Sequence, residues 1–134
     1  MLEIITNKNN EIFAIIIFHN YDKEGVNFFT PPDFSQQLAF IKHKAGKIID
    51  PHIHNLVLRE VCYTNEVLFI RKGKLKVDFY DESQNYLDTR VLEAGDVILL
   101  AKGGHGFEVI EEVEIIEVKQ GPYTGENDKT RFKM

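Results

Sequence analysis

His52-Ile53-His54 sets two imidazoles one residue apart. On a β-strand, positions i and i+2 point to one face, so both rings project together while Ile53 faces the other way. Two neutral imidazoles about 6–7 Å apart along a strand can converge on one cation, whose preferred set is completed by a carboxylate or a third imidazole. Glu66 opens a stretch in which Glu66, Leu68 and Ile70 share a face. A charge that continues an inward apolar stripe needs a partner, and a metal ion is one. His105 follows Gly103-Gly104 and shares its face with Phe107 and Val109, again an imidazole at the edge of an apolar stripe. His19 ends a buried run and His43 lies between two lysines, so both are expected in surface or turn roles.

The elements that must position these groups are short strands. Apolar runs are separated at close intervals by Gly, Asn, Asp and Lys, the pattern of strands joined by turns. The expected strands are Glu11–His19, Gln37–Lys42, Lys47–His54, Val57–Tyr63, Glu66–Arg71, Lys74–Tyr80, Tyr86–Leu92, Val97–Ala101, Phe107–Ile110 and Glu112–Lys119. Lys72-Gly73 reads as a tight hairpin, Asp81–Asn85 as a polar turn and Ala94-Gly95-Asp96 as another. Leu75, Val77 and Phe79 alternate cleanly with Lys74, Lys76 and Asp78. One short helix fits Asp33–Ala39, with Asp33 as its cap. The expected fold is therefore all-β, a barrel or sandwich with few open edges, in one domain over residues 1–134. Residues 120–134 form a C-terminal arm or tail, and Pro122-Tyr123 and Phe132 favour packing.

Composition limits the partners. The 134 residues are 43% hydrophobic and 28% charged, enough for a buried core and unlike a disordered chain. A net charge of -5, with cations scattered singly or in pairs such as Arg71-Lys72, excludes nucleic acid as the main partner. The longest apolar run, Ile12 to Phe18, is far short of the roughly 20 residues that span a bilayer, and no signal peptide is expected at Met1–Ile5. The one cysteine, Cys62, fits a reducing compartment and a buried strand position; cytoplasm is the expected location.

These residues resemble the cupin superfamily. Gly46, five residues, His52-Ile53-His54, a spacer, Glu66, six residues and Gly73 follow the first cupin motif. Gly95, five residues and Ala101-Lys102-Gly103-Gly104-His105 follow the second. The resemblance implies a double-stranded β-helix, the jelly-roll or cupin barrel. It also implies a divalent ion (Fe, Mn, Ni, Zn or Cu) on His52, His54, Glu66 and His105. The spacer between His54 and Glu66 holds eleven residues where cupins usually have three or four, which makes Glu60 a rival ligand; the intact distance from Glu66 to Gly73 favours Glu66. In the second motif Ala101 replaces the usual proline, the Gly-to-His spacing is one residue shorter, and Val109 stands where Asn is common. The stretches Glu66–Ile70, Gly103–Phe107 and Val118–Tyr123 are similar to stand-alone cupins encoded with surface-polysaccharide biosynthesis enzymes.

The implied function is a small-molecule metalloenzyme, an isomerase, hydrolase or oxygenase acting on a sugar or small carboxylate. The other reading is a non-catalytic small-ligand-binding cupin or an accessory protein in carbohydrate biosynthesis. Arg59 and Tyr63 are the candidate substrate-binding residues, the guanidinium offering a bidentate fork for carboxylate or phosphate. Lys102 is expected to point into water and Glu111–Glu114 to form a solvated face. The 10 Phe and 5 Tyr are expected to pack in the core and at a homodimer contact, with the Ile12–Phe18 run suited to sheet-edge pairing.

Overall fold

The computed structural model describes residues 1–133, and of 126 and 127 the backbone alone. The described residues form eight strands: β1 Leu2–Thr6, β2 Ile12–Ile17, β3 Gly25–Phe28, β4 Ala39–Lys42, β5 Glu66–Tyr80, β6 Tyr86–Glu93, β7 Val97–Leu100 and β8 Gly104–Lys119. One 3-10 turn follows at Gly125–Asp128. All pairings are antiparallel. Six strands make one sheet in the order β1-β2-β7-β5-β6, with β8 along the other edge of β5; β3 and β4 form a separate ribbon.

The sheet curls strongly into a half-barrel. Along one edge of β5 run first β7, against residues 66–69, and then β6, against residues 74–80; β8 follows β5 from Glu66 to Tyr80 on the other edge. Register shifts between Ile70 and Leu75 mark the bend, since bulges sharpen the twist of a strand pair. Gly73 sits at its centre with φ +87°, and a Cβ there would lie 1.9 Å from the Glu112 carbonyl oxygen. The bend is possible here because only a residue without a side chain lets β8 cross so close. Opposite the bend, the β6–β7 turn is held by buried Asp96. Its carboxylate accepts the N–H groups of His19 and Glu93 at 2.7 Å each, and its Oδ1 lies 2.9 Å from His19 Nδ1.

Two apolar cores result. Inside the curl, Ala14, Ile16, Leu68, Ile70, Leu75, Val77, Phe79, Leu92, Ile98 and Leu100 pack together. On the outer face, Ile15, Ile17 and Leu99 are covered by Leu38, Tyr21, Phe29 and Phe34. The unbroken apolar run in β2 is thus explained by a strand buried on both faces.

Several expectations are corrected. Lys72-Gly73 is no hairpin: β5 continues through it, because β8 supplies hydrogen bonds across the bend. For the same reason Phe107–Ile110 and Glu112–Lys119 are one strand. Lys47–His54 and Val57–Tyr63 form no strands, and residues 43–65 are irregular. Their alternating pattern finds no partner edge within the chain. Ile53, Leu56 and Leu58 stay exposed, forgoing about 1.5–3 kcal/mol each that burial would return. Cys62 is consequently exposed, not buried in a strand. Asp33–Ala39 contains turns and bends but no helix, and Gln37 folds back to the carbonyls of Pro31 and Phe34. Strands β1 and β3 were not anticipated. The C-terminal arm packs in part: Phe132 stacks edge-on against Tyr80, 5.1 Å between ring centres, and approaches Gly104 so closely that a Cβ there would meet its ring at 2.8 Å. Tyr123 is exposed, and Met134 lies outside the described residues.

Candidate functional site

The curl brings together two residues that the strand pairing alone would hold far apart. In the register of β5 and β8, His105 lies opposite Phe79, thirteen positions along β5 from Glu66. A straight strand would separate those positions by about 40 Å. Yet His105 Nε2 lies 3.3 Å from Glu66 Oε2. The inward face places both: Glu66 continues the stripe of Leu68 and Ile70, and His105 that of Phe107 and Val109, beside Leu75, Val77 and Phe79. The two ends of the bent ribbon meet at the mouth of the half-barrel.

The pair is partly sheltered, with side chains 14% (Glu66) and 28% (His105) exposed. The His105 ring beside Glu66 holds its carboxyl below the ordinary range. Burial acts in the opposite direction, and the charges of Lys119 and Lys129 add to the lowering. Glu66 is therefore an ionised acceptor beside an imidazole, the chemistry of a mixed N/O ligand pair. Around it, Lys119 lies 3.8 Å from Asp128, whose other oxygen accepts the Thr64 hydroxyl at 2.5 Å. Asn65, the residue before Glu66, is buried; its amide donates to the Ala101 carbonyl at 2.9 Å and its oxygen accepts the Ser35 hydroxyl at 3.0 Å. The start of β5 is thereby anchored to the end of β7.

The other two expected ligands lie elsewhere. His52 and His54 sit in the irregular segment, exposed, with their rings 5.3 Å apart and edge to face. They are adjacent to each other, as the spacing implied, though not on a strand. Among the described residues no group of three or more His, Cys, Asp or Glu side chains is arranged so that it could hold a metal ion. The four expected ligands thus stand as two separate pairs, Glu66 with His105 and His52 with His54. Glu60, the rival carboxylate, is exposed and has Arg59 and Val61 beside it along a surface cleft.

Tyr63 lies at a second cleft with Glu11, Phe34, Asn65 and Lys102. Lys102 does not point freely into water. It donates to Glu11, lies 3.8 Å from Glu82, and sits over the rings of Phe13 and Tyr63 at 5.6 and 5.9 Å. Its ammonium is held above the ordinary lysine range, first by the hydrogen bond to Glu11. Sequence reasoning expects this lysine to point into water, because its partners Glu11 and Tyr63 are distant in the chain. Arg59 is exposed at the neighbouring cleft. His19 takes a structural role on Asp96, and Glu111, Glu112 and Glu114 are solvated as expected while Val113 turns inward against the core.

No helix among the described residues is long and apolar enough to cross a membrane. Comparison of the chain with protein-family models, with curated proteins and with solved structures finds no match in any of the three.

Proposed function

We propose that the chain is a metal-binding cupin in which Glu66 and His105 form one half of a divalent-ion site and His52 and His54 the other. The observation that carries this reading is the 3.3 Å approach of His105 to Glu66 across a bent ribbon, with the carboxyl kept ionised. A buried-edge carboxylate and an imidazole from opposite ends of one strand pair need a reason to converge, and a shared cation supplies one. The ion, when bound, supplies Lewis acidity or, if it is iron, oxygen activation. Glu66 contributes charge and the three imidazoles contribute neutral donors, with the Phe107 ring 5.3 Å from that of His105. The substrate class that suits such a mouth is a sugar or small carboxylate, with Lys102, Tyr63 and Arg59 at the neighbouring clefts as groups for an anionic part.

A second reading rests on the same pair. Within one chain Glu66 and His105 already satisfy each other, so a non-catalytic binding module without metal also accounts for their contact. Calorimetric titration of chelator-treated protein with Zn, Mn, Ni, Cu and ferrous iron separates the two. The metal reading expects one ion per chain for at least one of them; a flat titration for every ion, at about hundredfold excess over protein, would leave the binding module.

A further inference from the structure

Between Lys42 and Glu66 the chain is irregular, and its apolar side chains are nearly as exposed as in a free peptide: Ile48 at 80%, Ile53 at 86%, Leu58 at 95%. The same residues alternate as two strands would. Elsewhere, among the described residues, a strand edge has no neighbour. β8 is paired on one edge only, to β5, and the inward side chains of Phe107, Val109 and Ile115 remain exposed along it. Charge does not oppose the pairing: residues 47–63 carry Lys47 and Arg59 against Asp50 and Glu60, and Glu108, Glu111, Glu112 and Glu114 of β8 are already paired with Lys76, Lys74, Lys72 and Arg71. The segment does not lie along its own β8. Its return limb, Glu60 to Tyr63, shares a cleft with Glu11, Ile12 and Lys102 at the start of β2, and β7 and β5 stand between β2 and β8.

We propose that residues 47–58 are an exchanged arm, which pairs with the open edge of β8 in a second copy of this chain and carries His52 and His54 to that copy's Glu66 and His105. Two-fold exchange is self-complementary, so each chain gives one arm and receives one. It buries the apolar residues of the arm against those of β8, satisfies the bare edge of the strand, and joins the two halves of the donor set. The delivery of the histidines rests on the metal-site reading; the exchange of the arm does not.

Light scattering on metal-free protein reads the exchange alone. Wild type is expected at twice the chain mass at tens of micromolar, and the Ile53→Asp/Leu58→Asp variant at the mass of one chain, with at least tenfold weaker association. Both positions are exposed in the single chain, so its fold loses nothing by the change. A monomeric wild type, or a double variant that stays dimeric, overturns the exchange. The delivery is read by mixing a His52→Ala/His54→Ala chain with a Glu66→Gln/His105→Ala chain. Exchange restores one intact site per mixed dimer although neither parent binds the ion. If wild type binds metal and the mixture does not, the histidines act within their own chain and their delivery is overturned. If wild type dimerises through the arm but binds no metal, the metal reading alone fails.

Discussion

Replacing Gly73 with alanine is expected to cost about 3–5 kcal/mol of stability, a large share of what a domain of this size possesses. The new Cβ would sit 1.9 Å from the Glu112 carbonyl oxygen and 2.9 Å from the Val113 Cα, both backbone atoms of the strand paired to it. Neither can swing aside without breaking the β5–β8 ladder. The positive φ of +87° adds strain of about 1 kcal/mol for any residue with a side chain. In thermal unfolding the melting temperature should fall by about 10 °C or more. Gly25→Ala separates the two causes: its φ is +92° but nothing lies within 4 Å of the added carbon. It should lose only about 1 kcal/mol. Equal shifts for the two variants would mean that the close crossing of β8 over the bend is not what glycine serves at this position.

The largest functional effect is expected at Glu66. Glu66→Gln keeps the size of the side chain and a contact to His105 but removes the negative charge. Even groups that only support a ligand are worth about 10–100-fold in metal affinity, so loss of the ligand itself should weaken binding by about 100-fold or more. His105→Ala should match it, since each removes one donor of the same pair. The carboxylate is only partly sheltered, and its loss should leave the metal-free fold within about 1 kcal/mol of wild type. Glu60→Gln should bind as wild type does, because that carboxylate is exposed beside Arg59, away from His105. Calorimetric titration of the three variants beside wild type, with unfolding curves of the metal-free forms, gives the comparison. Undiminished affinity in Glu66→Gln with loss in Glu60→Gln would transfer the ligand role to the rival residue.

What could be read from sequence follows from where burial is decided. The run in β2 is apolar at every position because two cores need it, and the alternation of Leu75, Val77 and Phe79 is clean because one core does. Both were legible for that reason. Gly73 was read as a turn because a glycine inside an alternating stretch looks the same whether the chain reverses or bends and goes on; only the presence of β8 distinguishes them. The pattern of Lys47–Tyr63 was read as two strands, but alternation records that a strand would be amphipathic, not that its partner lies in the same chain. Of the site, the partnership of Glu66 and His105 was legible as motif spacing, because curvature closes what sequence separates. The partnership of His52 and His54 was legible as adjacency alone. Lys102 reads as a solvated loop lysine in the sequence, since its anchors come from two remote segments.

The central claim is that three imidazoles and one carboxylate share an ion. Crystals grown with the divalent ion that binds most tightly in titration, measured above and below its absorption edge, test it most directly. One anomalous peak per chain is expected, with nitrogen atoms of His52, His54 and His105 and an oxygen of Glu66 at about 2.0–2.2 Å, whichever copy supplies the histidines. A peak bound by other residues, or full-occupancy metal on Glu66 and His105 with His52 and His54 remaining in solvent, would contradict it.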